Sequence, residues 1–219
     1  MSLPPTFYQQ VYRGKEASHD KEDAEDSDET KQLLQSSSDS SPSSPAQDKF
    51  PAIDEKFPGP LNILLAESNR HERFNLVAEL ERRGHYVVAY DNGQDCVYSH
   101  RAALNTSRCS DVIFMGPNLD QIDCTLAVPL IRASEHMFQL GKRGERRPVP
   151  IFAVSECLED DERNALIRAR IDGWIRRPLD KELLSVILAS LRDKELRNRF
   201  VMEKDRWLTG LGGWFKQLG

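Results

Sequence analysis

Between Leu61 and Leu191, short apolar runs alternate with amphipathic segments through five cycles, and nothing else in this 219-residue chain restricts the fold so sharply. The runs are LNILLA (Leu61 to Ala66), YVVAY (Tyr86 to Tyr90), DVIFM (Asp111 to Met115), PIFAV (Pro150 to Val154) and GWI (Gly173 to Ile175). The first, third and fourth are nearly continuous in hydrophobicity, as strands covered on both faces of a parallel sheet must be. Phe74, Val77 and Leu80 mark one helical stripe that Gly84 is placed to close. Further helices are predicted from about Gly93 to Leu104, Leu126 to Leu140, Glu159 to Arg170, and from Leu179 towards Arg206. Strand–helix–strand connections cross over right-handedly, so the expected architecture is α/β, a doubly wound sheet of five parallel strands.

The flanks read differently. With 30% charged and 39% hydrophobic residues, the chain is too polar to be folded from end to end. The acidic block HDKEDAEDSDE and the low-complexity run SSSDSSPSSP hold little that could offset the entropy of ordering, so residues 1–56 are predicted to be a disordered acidic, serine-rich tail. Ser41-Pro42 and Ser44-Pro45 have the form of proline-directed phosphorylation sites, and Phe7, Tyr8, Val11 and Tyr12 form a small apolar cluster upstream. Residues 57–191 are then the folded domain. Residues 192–219 are expected to be a helical extension carrying Phe200, Trp207, Leu211, Trp214 and Phe215.

A net charge of -5 gives no whole-molecule case for nucleic acid. Cys96, Cys109, Cys124 and Cys157 form no CxxC pair, which suits reduced thiols. No apolar run approaches the roughly 18 to 20 residues that span a bilayer, and the first residues lack a hydrophobic signal core. A protein of the cytoplasm or nucleus, without a membrane segment, is expected.

Ligands of doubly wound sheets bind beyond the carboxyl ends of the strands. There the sequence places Glu67, Ser68 and Asn69 after the first run and Gly116, Pro117 and Asn118 after the third. Ser155 and Glu156 end the fourth, and Arg176, Arg177 and Pro178 follow the fifth. ILLAESN, DVIFMGPNLDQID, PIFAVSE and DGWIRRPL, in that order, resemble the motifs of response-regulator receiver domains, especially those of eukaryotic hybrid histidine kinases. The resemblance implies a flavodoxin-like fold with strand order 2-1-3-4-5 and a phosphorylation pocket at these strand ends. Phosphoryl transfer to a carboxylate needs that carboxylate and hard oxygen ligands for a divalent cation. By the resemblance the acceptor position is Gly116, the second of the two acids is Ser68, and the lysine position is Arg177, while Glu67 and Asn118 keep their roles. Ser155 and Trp174 match the switch hydroxyl and switch aromatic, and Pro178 matches a proline that follows a cis bond. Asp120 and Asp123 are the nearest alternative acids.

The expectation is therefore a degenerate pocket with no catalytic residue, metal or cofactor, in which Arg177 pairs with Glu67. The protein would act by binding a protein partner, through the face made by the fourth helix, fifth strand and fifth helix or through the C-terminal extension. A homodimer is a further option. Arg163, Arg168, Arg170, Arg176 and Arg192 make the same region basic. A nucleotide- or flavin-binding protein and a nucleic-acid-binding regulator are the alternatives, although AESNRHE contains no glycine to cradle a phosphate.

Overall fold

Each of the five apolar runs is a strand: β1 Asn62–Ala66, β2 Tyr86–Tyr90, β3 Val112–Met115, β4 Ile151–Ser155 and β5 Gly173–Arg176. They are joined by α1 Arg70–Arg82, α2 Gly93–Ala103, α3 Cys124–Gly141 and α4 Asp160–Arg168, and followed by α5 Lys181–Ser190. The computed structural model describes residues 59–106, 108–141, 147–202, 210 and 212–216. The chain divides into two units, Met1–Lys49 and Phe50–Gly219, and every described residue lies in the second. The tail expected over 1–56, with its Ser-Pro pairs and aromatic cluster, lies outside the described residues, as do Trp207 and Leu211.

The five strands pair in parallel in the order β2-β1-β3-β4-β5, with Leu64 opposite Val88 and Ile113, and Ala153 opposite Met115 and Trp174. Strand periodicity splits the apolar residues between two layers. Leu64, Ala66, Ile113, Met115 and Ala153 meet Cys96, Val97, Val128, Ile131 and Leu166 from α2, α3 and α4. Ile63, Leu65, Phe114, Phe152 and Ile175 meet Leu76, Val77, Leu80, Leu184 and Ile187 from α1 and α5. Phe74 departs from expectation. It is 65% exposed, because the stripe that faces the sheet runs through Leu76, Val77 and Leu80 and leaves position 74 beyond its edge. Gly84 closes α1 as predicted, with a φ of +84 and its N–H on Glu81.

The C-terminal segment corrects the sequence reading. The single helix expected from Leu179 towards Arg206 stops at Ser190, and Asp193 caps a new short helix, α6 Lys194–Arg199, by accepting from the N–H groups of Glu195 and Leu196. An aspartate side chain that bonds nearby backbone competes with helix continuation. Two strands follow, β6 Val201–Met202 and β7 Gly212–Phe215, and extend the sheet to seven strands in the order β2-β1-β3-β4-β5-β7-β6. β7 is antiparallel to β5, with Gly173 opposite Trp214 and Ile175 opposite Gly212. Glycines make this junction possible. A Cβ at Gly173 would lie 2.4 Å from the Gly213 carbonyl oxygen and from the Phe152 ring, and one at Gly212 would lie 2.3 Å from the Trp174 carbonyl. Trp214 then enters the α5 layer, where its indole N–H donates to Ser190 Oγ at 2.8 Å and its ring meets Phe152 edge-on at 4.7 Å.

Candidate functional site

Glu67 and Gly116 each lie one residue past a strand, and the ladder carries them side by side: Glu67 N–H bonds to Tyr90 O at 3.0 Å and Gly116 N–H to Ala66 O at 2.8 Å. Arg177 is held alongside by its N–H on Ser155 O at 2.8 Å, and the Arg177–Pro178 bond is cis. The predicted residues Glu67, Ser68, Gly116, Asn118, Ser155 and Arg177 therefore gather at one end of the sheet, as the strand-end rule requires.

At the centre is an ion pair. Arg177 Nη2 lies 2.6 Å from Glu67 Oε2 and also donates to Val154 O at 2.8 Å. Glu67 is only 4% exposed, and its other oxygen accepts the Asn69 N–H at 2.9 Å. Arg177 Nη1 lies 3.7 Å from Glu72 Oε2 on α1. The carboxylate fills space that a larger residue at 116 would need, since a Cβ built on Gly116 would stand 2.8 Å from Glu67 Oε2. The lack of a side chain at Gly116 and the position of the Glu67 carboxylate are thus two sides of one packing arrangement.

The remaining oxygens of the pocket are bonded to one another. Ser68 Oγ donates to Asn118 O at 3.4 Å and accepts the Asp120 N–H at 3.0 Å. Arg73, from the first turn of α1, bonds to the carbonyls of both Glu67 and Ser68. Asp123 accepts from Thr125 Oγ1 at 2.6 Å and from the Leu126 N–H at 3.0 Å, and so starts α3. This donor set does not fit a magnesium ion, which requires oxygen ligands in near-octahedral array. Position 116 offers no side chain, position 68 a hydroxyl, and the Glu67 carboxylate is held by a guanidinium. Among the described residues no group of three or more His, Cys, Asp or Glu gathers as metal ligands do.

Ser155 and Trp174 are linked directly. The buried indole Nε1 of Trp174 donates to Ser155 Oγ at 2.9 Å, and that hydroxyl donates to Cys157 O at 2.8 Å. Both side chains have their hydrogen-bonding capacity directed into the domain. Pro178 is exposed and serves the turn into α5.

Sequence reasoning missed Arg73, whose reach back over the β1 loop has no local signature, and it missed a buried network at the opposite end of the sheet. There Arg132 lies 2.9 Å from Glu135 and 2.7 Å from Asp172, and His100 Nε2 lies 3.5 Å from Glu135 Oε1. Burial opposes ionisation of Glu135, but bonds from His100, the Val149 N–H and Arg132 outweigh it and hold the carboxyl below its ordinary range. For Asp172 burial prevails and pushes the carboxyl up despite Arg132. The network borders a cavity of about 810 Å³. Of the five arginines of the predicted basic region, Arg163 pairs with Asp160 at 2.8 Å and Arg192 reaches Asp111 at 3.7 Å, while Arg168, Arg170 and Arg176 are exposed. The face expected to receive a partner does not present a free strand, because β7 occupies the edge of β5.

The strand order, the strand-end pocket and the cis proline together define a receiver-domain fold. No protein-family model matches the sequence. Among solved structures, the chain is similar to the receiver domain of the histidine kinase CKI1 from Arabidopsis thaliana complexed with Mg²⁺ and BeF₃⁻, at a TM-score of 0.54 and 22% identity over 63% of this chain and 93% of that one. A chain of the co-crystal of the Saccharomyces cerevisiae histidine phosphotransfer signalling protein Ypd1 with the receiver domain of its downstream response regulator Ssk1 gives a TM-score of 0.54 and 19% identity, covering 63% and 92%. In sequence, Protein PilH of Pseudomonas aeruginosa is 25% identical over 122 residues, 56% of this chain and 89% of that protein. No helix among the described residues is long and apolar enough to cross a membrane.

Proposed function

We propose that this chain is a phosphorelay-type signalling protein whose receiver-like domain binds a protein partner and performs no phosphoryl transfer at position 116. The observation that carries the reading is the Glu67–Arg177 pair, 2.6 Å long and set against the bare Cα of Gly116. A receiver that works by phosphorylation needs a free carboxylate and a bound cation, so that charge added at the site is felt elsewhere. Here one carboxylate and one guanidinium already neutralise each other in the same small volume. A ligand shifts a conformational equilibrium only by its differential affinity for the two states, and with the acceptor absent nothing at this site supplies that difference. Because the yeast structural neighbour is a receiver seen with a histidine phosphotransfer protein, that class of protein is the first partner to test.

Incubation with labelled acetyl phosphate and Mg²⁺ is expected to leave no hydroxylamine-sensitive label, and beryllium fluoride should not alter Trp174 fluorescence. Label recovered on any carboxylate of the 61–191 region would refute the proposal.

A further inference from the structure

We propose that the cavity at the amino ends of the strands binds a small organic phosphate, whose charge is met by Arg147, Arg170, Arg197 and Lys216. Leu61, Asp111, Pro150 and Asp172, each one residue before β1, β3, β4 and β5, line this cavity. The C-terminal segment completes the lining through Arg197 of α6, Trp214 and Phe215 of β7, and Lys216 just beyond it. The part of the chain that departs from a five-stranded receiver domain therefore helps to build the cavity. Its volume of about 810 Å³ falls within the ~300–1,000 Å³ of small-molecule sites. It is independent of the phosphorylation pocket, because Glu67 and Arg177 follow the carboxyl ends of their strands.

The class of ligand follows from charge. The protein carries a net charge of -5, yet cations outnumber acids along this wall. Glu135 and Asp172 are both taken by Arg132 and by the N–H groups of Val149 and Ile151, and Asp111 by the Asn62 N–H and Arg192. Arg147, Arg170, Arg197 and Lys216 form no ion pair among the described residues. Arg197 is already positioned: Nη2 donates to Leu191 O at 3.2 Å, and the guanidinium carbon stands 4.1 Å from the centre of the Trp214 ring. Burial lowers its pKa first; Asp172 raises it, and the Arg147 charge lowers it again. Two buried nitrogens on the same wall lack a hydrogen-bond partner among the described residues, Nε of Arg197 and Nδ1 of His100. His100 is 2% exposed, and its Nε2 lies 3.5 Å from Glu135 Oε1. Buried polar groups that the protein does not satisfy are normally met by a water or an ion. Four unpaired cations exceed what one carboxylate offsets, and guanidinium forks match phosphate oxygens. A concave wall with buried Trp214 and Phe215 suits a compact organic body, whereas a nucleic-acid strand needs an extended basic groove.

The test is isothermal titration calorimetry of the full chain at low salt with AMP, glucose 6-phosphate and inorganic phosphate as probes. AMP or glucose 6-phosphate is expected to bind saturably at one site, more tightly than inorganic phosphate, and the better of the two identifies the organic body. R147Q/R170Q should weaken that binding about a hundredfold, as loss of two charge-assisted contacts implies, with an unchanged unfolding midpoint. R168Q/R176Q removes the same charge from exposed positions outside the cavity and should bind as the wild type does. The His100 ring nitrogens should shift in NMR spectra on saturation. Failure of both organic phosphates to bind, equal weakening by the two double variants, or an unmoved His100 would overturn the proposal. So would a single-stranded oligonucleotide that binds more tightly than AMP.

Discussion

Glu67 and Arg177 exchange a hydrogen bond of 2.6 Å in a place where neither is well hydrated, Glu67 at 4% exposure overall and the Arg177 side chain at 14%. Removing one partner of such a pair leaves the other buried and uncompensated, which costs more than the pair itself contributes. Glu67→Gln is therefore expected to destabilise the domain by about 2–3 kcal/mol, somewhat under the usual 3–5 because Glu72 stands near enough to take up part of the Arg177 charge. Urea unfolding with an unchanged m-value would measure it, and a loss below about 0.5 kcal/mol would show a solvated, dispensable pair. At this scale the sequence was informative where a strand end fixed the position: Gly116, Glu67 and Arg177 were legible because each follows an apolar run that anchors it. Arg73 and the bonds of Ser68 to Asn118 O and the Asp120 N–H were not, since they depend on how loops lie over one another.

Among the elements, β7 changes most in what the domain offers. A strand edge with unpaired backbone groups invites another chain, and natural folds cover it. Here the cover is GGWF, fixed by the close glycine approaches at 173 and 212 and by Trp214, which is 3% exposed and lies under the Arg197 guanidinium at 4.1 Å. Trp214→Ala is expected to cost about 3–5 kcal/mol in urea unfolding, the range for a buried large-to-small change, and to speed amide exchange along β5. Protection at Trp174 and Ile175 equal to wild type would mean that β7 is held by its backbone alone. The five parallel strands were legible from continuous apolar runs. The single helix expected from Leu179 towards Arg206 was misread because Asp193 divides it by capping the separate helix Lys194–Arg199, and because the contact of Trp214 with Phe152 and Ser190, which seats a strand beside β5, is tertiary and leaves no local signal.

Across the whole molecule, stability should vary with pH through groups far from the pocket. His85, 5% exposed, accepts the Leu61 N–H on Nδ1 at 3.3 Å, which requires the neutral imidazole. Burial first, and the nearby Arg83 charge second, lower its pKa from the ordinary value. A depressed folded-state pKa means that the unfolded chain takes up the proton first. Its stabilisation is thus present above about pH 6.5 and declines as pH falls towards the folded value. Glu135 acts in the same direction at lower pH, while the raised Asp172 opposes it. The unfolding midpoint is expected to drop between pH 7 and 5.5, and His85→Gln should flatten that part of the curve. An equal slope in both proteins would place the titration elsewhere.

The antiparallel strand has one more consequence, in the order of synthesis. During synthesis β1 to β5 and α5 emerge before Gly212 to Phe215, so the outer side of β5 has no cover from β7 until those residues follow. During that interval the half-made sheet exposes the backbone of Trp174 and Ile175 to any extended peptide nearby. Slow codons before residue 212 would lengthen this exposure and favour intermolecular misassembly, and a chaperone acting on this protein has most to protect in that interval.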